Sequence, residues 1–482
     1  MAKVKNRTNC CNLMLRLCRT RDTICDPPAK HYFSVRKANH LMLYAFARPF
    51  ARLGLKYYFR RIDLAHLERI PKGVPVILAA NHPTTFIEPC ILACFQDNPL
   101  YFLARGDFFR SPFFARLLKG VHIVPIYRLH DAGFGGIKQN YESFEKSYQI
   151  LAENRTLMIL AEGRCIHEKR LRPIRKGTAR IALGALTEKQ LPEVYIVPIG
   201  ANFTYADRLR SQVMLSCGKP MRASAYLDAY RRSEAGAIKQ FTDDLRDRLR
   251  QEVIVVEDMA DEPLVEYVHQ LYRTEHYDEI SKNGIHYERQ QLRAEQRIAD
   301  TINGLDPNTK ERWNLLAHDY FSRLQQMRVT DEAFAGCYHS DATRSALVLL
   351  LALPVMLLLI LHLPILLLVQ WISGTKIKSI EFAGPVRWAA SVFLYLVCSL
   401  VCLLVSLLTG AYQVFVLWLL AVISIPGIIN YLETAWRWLL AWRVRRQPVH
   451  LLDYLSTQRQ ALLRMVSTAW LDPSVSKLNT PN

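Results

Sequence analysis

The chain has 482 residues, 50% of them hydrophobic, with a formal net charge of +19 and an isoelectric point near 9.5. A field of that sign suits nucleic acid, an anionic membrane surface or phosphorylated substrates. No zinc-finger spacing, RNP-like aromatic motif or repeated basic helix is present, so no nucleic-acid partner is expected and the other two classes remain.

The opening MAKVKNRTNCCNLMLRLCRTR lacks an uninterrupted apolar core, so it does not read as a cleaved secretory signal, and the catalytic part is expected to stay in the cytoplasm. Cys10, Cys11, Cys18 and Cys25 crowd this stretch without C-x₂-C spacing; they read as reduced thiols, not metal ligands. Residues 1–30 carry no usable period and end in Asp26-Pro27-Pro28, as a disordered basic arm would. From Asn39 to Arg61 aromatic and aliphatic residues interleave with Arg and Lys, so residues 31–61 are expected to be an amphipathic helix, either at a membrane interface or packed on the domain.

Short apolar runs then alternate with helical stretches. Val74–Ala80, Leu100–Ala104, His122–Tyr127, Thr156–Ala161, Val194–Ile199 and Val213–Cys217 read as strands, and Phe113–Lys119, Gly136–Glu153 and Thr178–Leu186 as helices. Residues 62–222 are therefore expected to form an α/β domain, a central sheet flanked by helices, with its active residues on loops beyond strand ends. Residues 223–344 read as a charged helical extension whose apolar residues are too sparse for a second large core. Its helices His286–Asp300 and Thr309–Met327 either cover the α/β core or form part of a substrate site.

No Asp, Glu, Lys or Arg occurs from Ser345 to Thr375 or from Trp388 to Leu432, which makes 345–432 a membrane region and 433–482 a basic tail. Thr409-Gly410 is a natural turn between spans near 388–408 and 411–429. Leu347–Trp371 is long enough to cross but is interrupted by Pro354, His362 and Pro364. Basic residues flanking spans prefer the cytoplasm, so this stretch is expected to be re-entrant or interfacial, which keeps every basic flank on one side.

The most informative stretch is Ala79-Ala80-Asn81-His82-Pro83-Thr84-Thr85-Phe86-Ile87-Glu88-Pro89, just past a strong apolar strand. An exposed His there can take a hydroxyl proton near neutrality, and a carboxylate nearby, Glu88, can hold its tautomer and stabilise the imidazolium. A second stretch, Leu157 to Arg164, again runs from strand to polar turn and is followed by Lys169, Arg170, Arg172, Arg175 and Lys176, a cluster able to grip phosphate. Between the two, Arg105 to Phe114 precedes a strand ending at Arg128, a further phosphate candidate.

These blocks, in this order and with Val197-Pro198-Ile199-Gly200 as the last, resemble the glycerolipid acyltransferase family of lysophosphatidate and glycerol-3-phosphate acyltransferases, over roughly Val74 to Pro220. The family's first block usually reads His, four residues, Asp; here Ile87 holds that place and Glu88 follows, as in the branch with five intervening residues. The resemblance implies that His82 is the catalytic base and Glu88 its orienting partner, with Arg128, Glu162, Gly163, Arg164 and Lys176 at the acceptor site. Arg164, where the family's Glu-Gly-Thr form has Thr, is a second departure. The resemblance also implies no metal, no cofactor and no acyl-enzyme: an acyl chain passes from acyl-CoA or acyl carrier protein to a hydroxyl of glycerol-3-phosphate or dihydroxyacetone phosphate, or alternatively of lysophosphatidate.

Two other classes compete with this reading. A hydrolase lacks its Gly-x-Ser-x-Gly elbow. A non-enzymatic membrane protein or transporter would have only His362 as an ionisable group in the spans apart from Cys and Tyr.

Overall fold

The structure is a computed structural model that describes residues 29–126, 135–377 and 379–470. A long first helix, α1 (Ala29–Tyr58), leads into a mixed sheet of nine strands: β1 (Arg61–Ala65), β2 (Val76–Ala80), β3 (Leu100–Arg105), β4 (Ile123–Ile126), β5 (Thr156–Leu160), β6 (Tyr195–Phe203), β7 (Gln212–Cys217), β8 (Met221–Arg222) and β9 (Gly284–His286). The order is β4-β3-β5-β2-β6-β7-β1-β9, with β8 beside β6. Strands β2 to β6 are parallel, whereas β7, β1 and β9 run the other way because β7 pairs antiparallel with β6. The connecting helices are α2 (Ile87–Phe95), α3 (Pro112–Gly120), α4 (Gly135–Ala152) and α5 (Gly177–Glu188), and α6 (Glu234–Arg250) lies between β8 and β9.

Alternation along β2 shows why both faces of this sheet are covered. Val76, Leu78 and Ala80 point into a core shared with α2 and the end of α1, while Ile77 and Ala79 point into a core shared with α4, α5 and α6. The loops at the carboxyl ends of β2 and β5 thus stand on rigid, fully buried strands.

Strand β1 was not legible in the sequence. Its Arg61 and Asp63 are charged yet only 4% and 3% exposed, paired side chain to side chain at 2.8 Å. This buried ion pair breaks the apolar run by which a central strand is recognised, and the first helix ends at Tyr58, ahead of the expected Arg61.

The helical extension corrects a second expectation. Its α7 (Glu262–Glu275), α8 (Gln290–Asn303) and α9 (Pro307–Gln326) carry apolar stripes, among them Leu264, Val268 and Leu271, Ile298 and Ile302, and Trp313, Ala317, Tyr320 and Leu324. They build a separate core that is completed by Leu455, Leu462 and Val466 of α13 (Val449–Trp470). What reads as a basic tail is therefore a packed helix, tied down also by Arg459, whose Nε donates to Asp331 at 2.9 Å. The missing part of the stripe lay more than a hundred residues along the chain, so local density of apolar residues understated the core.

Among the described residues three helices are long and apolar enough to cross a membrane: α10 (Ala342–Lys376), α11 (Ile380–Thr409) and α12 (Tyr412–Arg445). Helices α11 and α12 form a hairpin about Gly410, whose φ of 71° is one that glycine adopts without strain. Helix α10 is continuous through Pro354 and Pro364, yet both of its ends meet the domain side of that hairpin. Ser345 accepts from Trp438 Nε1 at 2.8 Å and Ser373 from Arg387 at 3.3 Å, and Arg387 and Glu433 in turn bond Asp207 and Arg210 of the α/β domain. Its middle lies further out, where His362 bonds Tyr395 at 2.9 Å and faces Trp418. A straight helix would hold Ser345 and Ser373 about 42 Å apart, so α10 bends, as prolines inside a helix dictate.

Candidate active site

The chain leaves β2 at Asn81, which anchors the loop beyond the strand. Its side-chain amide donates to the Ala201 carbonyl at 2.9 Å and its carbonyl oxygen accepts from Ala201 N–H at 2.7 Å, so the β2 and β6 ends are cross-linked immediately before His82. The half-buried His82 is then held by its main chain: its N–H donates to Glu162 Oε2 at 3.0 Å and its carbonyl accepts from Ile166 N–H at 3.2 Å.

Glu162 lies just beyond β5 and is 5% exposed; its other oxygen accepts from Arg172 N–H at 2.9 Å. Burial pushes this carboxyl up, against the pull of the Arg172 and His82 N–H groups. Glu162 is thus a clamp that joins the His82 loop to the β5 loop. The next residue, Gly163, turns that loop with φ of 68°, and a Cβ there would stand 3.1 Å from Arg175 Cγ. A left-handed conformation costs other residues roughly 1–2 kcal/mol, which explains a glycine here.

Glu88 sits in the first turn of α2 and is fully buried. Its two oxygens accept from Thr84 N–H at 2.8 Å and Thr84 Oγ at 2.7 Å. Burial raises its carboxyl from an ordinary 4.5 to about 7; the Thr84 bonds oppose that rise, and the nearby Glu162 charge adds to it. Thr84, itself fully buried, gave no signal in the sequence because nothing in the Thr84-Thr85 pair marks one of the two as a partner of Glu88.

Arg164 and Lys176 are exposed on the loop joining β5 to α5, and Lys176 immediately precedes the α5 N-terminus, a place that favours anions. The cationic run between them is less available than the sequence suggests. Lys169 pairs with Glu266, and Arg170 and Arg172 pair with Glu168 at 2.8 and 3.1 Å, which leaves Arg175 and Lys176 without a carboxylate partner among the described residues. Arg128 lies outside the described residues.

A cleft beside the loop is lined by Asn81, Pro83, His167, Lys169, Asn202 and Ile254 among others. His167 was not singled out from the sequence, since it stands in an aperiodic loop. Burial, and then the Lys169 charge, lower its pKa, so its imidazole is the neutral form at pH 7. No cluster of three or more His, Cys, Asp or Glu side chains able to hold a metal is present among the described residues.

The other flank of the loop touches the membrane hairpin. Thr85 N–H and Oγ donate to the Glu381 carbonyl at 3.3 and 3.0 Å, and Phe86 lies 6.4 Å from the Trp388 ring. Gly384 packs so closely that a Cβ would come within 2.4 Å of the Ala206 carbonyl.

Residues 61–202 match the acyltransferase family model. The chain is 27% identical over 135 residues to glycerol-3-phosphate O-acyltransferase 1 of Saccharomyces cerevisiae and 28% identical over 111 residues to glycerol-3-phosphate O-acyltransferase 2 of the same yeast. The chain carries a glycerolipid-type acyltransferase domain. The acyltransferase alignments cover 27% and 22% of this chain but only 18% and 15% of the yeast proteins. A solved 1-acyl-sn-glycerophosphate (LPA) acyltransferase from Thermotoga maritima overlaps 50% of this chain and 88% of its own, at 15% identity and a TM-score of 0.34.

Proposed function

We propose that this protein is a membrane-anchored acyltransferase that moves an acyl chain from acyl-CoA or acyl carrier protein to a hydroxyl of glycerol-3-phosphate or dihydroxyacetone phosphate. The observation that carries the reading is the His82 loop, main chain clamped on both sides at the carboxyl ends of β2 and β5, inside an acyltransferase domain. His82 takes the proton of the acceptor hydroxyl; the hydroxyl oxygen attacks the thioester carbonyl carbon; the C–S bond breaks and the departing thiolate recovers the proton from the imidazolium. Glu88, when ionised, orients the imidazole and offsets its transient charge. Glu162 and Gly163 shape the loop, while Arg164, Lys176 and Arg128 meet the acceptor phosphate. The names of the yeast relatives support the glycerol-3-phosphate acceptor.

One observation favours lysophosphatidate instead. Helix α11 is bonded directly to the catalytic loop at Thr85, which sets His82 beside the bilayer, where an acceptor already carrying an acyl chain resides. The three apolar helices and a net charge of +19 support a cytoplasmic catalytic domain on an anionic membrane surface, with α10 re-entrant and the α11–α12 hairpin crossing and returning. An acceptor panel with labelled acyl-CoA and purified protein in lipid nanodiscs decides among the readings. Acylation of glycerol-3-phosphate supports the first and of lysophosphatidate alone the second, and acylation of no acceptor refutes both.

A further inference from the structure

Strands β1 and β7 run opposite to β2, so the segments past their carboxyl ends point away from the His82 loop. There the turn at Lys219, the end of α6 and the start of α8 enclose a pocket of about 510 Å³ that shares no lining residue with the cleft beside His82. Its walls carry Arg69, Lys219, Arg248, Arg289 and Arg293 against one carboxylate, Glu252.

That carboxylate is already engaged, accepting from Arg289 at 2.9 Å and from Ser216 Oγ at 2.5 Å. Arg69 donates to the Cys217 carbonyl at 2.8 Å, a neutral partner. Arg69, Lys219, Arg248 and Arg293 form no ion pair among the described residues, so the walls carry an excess of positive charge. Their mutual repulsion is felt locally, since burial and the neighbouring Arg293 and Arg69 charges lower the Arg289 pKa despite Glu252. A protein holds converging cations in a concave site at a cost that an anionic ligand removes.

We propose that this pocket binds a small soluble molecule bearing two or more phosphoryl groups. Planar guanidinium forks match phosphoryl oxygens, and the volume lies in the range of small-molecule sites. No lining residue has an aliphatic or aromatic side chain to hold an acyl chain. The membrane hairpin docks at Thr85 and Ala206, at the sheet edge toward which β2 points, which argues for a soluble ligand over a lipid headgroup. Two sources fit the chemistry: a free polyphosphate-bearing effector, or, resting on the acyltransferase reading, the phosphorylated nucleotide end of an acyl-CoA donor.

The test is calorimetric titration of full-length protein in neutral-lipid nanodiscs with tripolyphosphate and, separately, with adenosine 3′,5′-bisphosphate. Wild type and His82→Ala are expected to bind equally, which keeps the result independent of catalysis. The double variant Arg248→Glu/Arg293→Glu, both exposed positions, is expected to bind at least tenfold more weakly while its unliganded melting temperature stays unchanged. Displacement of tripolyphosphate by the bisphosphate, with a raised acyl-CoA KM in the double variant, identifies the donor; tripolyphosphate binding that persists under saturating CoA identifies an effector. Absence of binding to wild type, or binding that the double variant leaves intact, overturns the proposal.

Discussion

Replacing Glu88 by Gln separates what the fold wants at this position from what the chemistry needs. The carboxyl's pKa in the fold is about 7 against an ordinary 4.5, so the neutral form is the one the buried site favours. That preference is fully present below pH 4.5 and is lost as pH rises through 7. A shift of about 2.5 units corresponds to roughly 3 kcal/mol at 1.36 kcal/mol per unit. Gln is neutral at every pH but can accept only one of the two Thr84 hydrogen bonds, which costs about 1–2 kcal/mol. The variant is therefore expected to be less stable than wild type at pH 5 by up to about 1 kcal/mol and more stable at pH 8 by about 1–2 kcal/mol, or a few degrees in melting temperature. Acyl transfer should fall severely at pH 8, where wild-type Glu88 is ionised and can hold the imidazolium, while Glu88→Asp should retain part of the activity. Melting curves in detergent from pH 5 to 8 alongside initial rates check this. Variant and wild-type stabilities that run parallel across that range would refute the burial argument, and full activity in Glu88→Gln would place the orienting carboxylate elsewhere.

Glu162→Gln removes one of the two main-chain acceptors shared by His82 and Arg172, so kcat should fall by about tenfold or more with little change in acceptor KM; a pure acceptor-KM defect would make Glu162 a substrate contact instead. Arg164→Ala and Lys176→Ala should raise acceptor KM and spare donor KM, and the reverse pattern would move these cations to the donor. Single cysteines placed at Ser379 and Ser456 should be protected from an impermeant reagent in intact cells, and one at Thr409 labelled; labelling of Ser379 or Ser456 would rule out the re-entrant topology.

The catalytic half of the fold was readable because its strands are buried on both faces and so announce themselves as apolar runs bounded by turns. His82 and Glu162 could be picked out because polar residues directly past such strands stand out against them, and Glu88 as the carboxylate a few residues beyond His82. Legibility failed wherever the stabilising partner is remote or polar. Strand β1 hides behind the Arg61–Asp63 pair, the core of the extension needs Leu455, Leu462 and Val466, and the fixing of Glu88 by Thr84 is a hydrogen-bond geometry with no compositional trace. Nor could the sequence show that Lys169 is already paired, since its partner Glu266 comes from α7, nearly a hundred residues on. The bonding of Thr85 to Glu381, nearly three hundred residues along the chain, joins the candidate active loop to the apolar hairpin in a way that only the folded chain reveals.

The role of His82 as the base is central to the proposed chemistry. Purified wild type and His82→Ala in nanodiscs, given labelled acyl-CoA and either glycerol-3-phosphate or lysophosphatidate, test it most directly. Acyl transfer by wild type to at least one acceptor is expected, together with its loss in the variant at unchanged melting temperature and membrane insertion. Wild-type rates in His82→Ala would contradict that role.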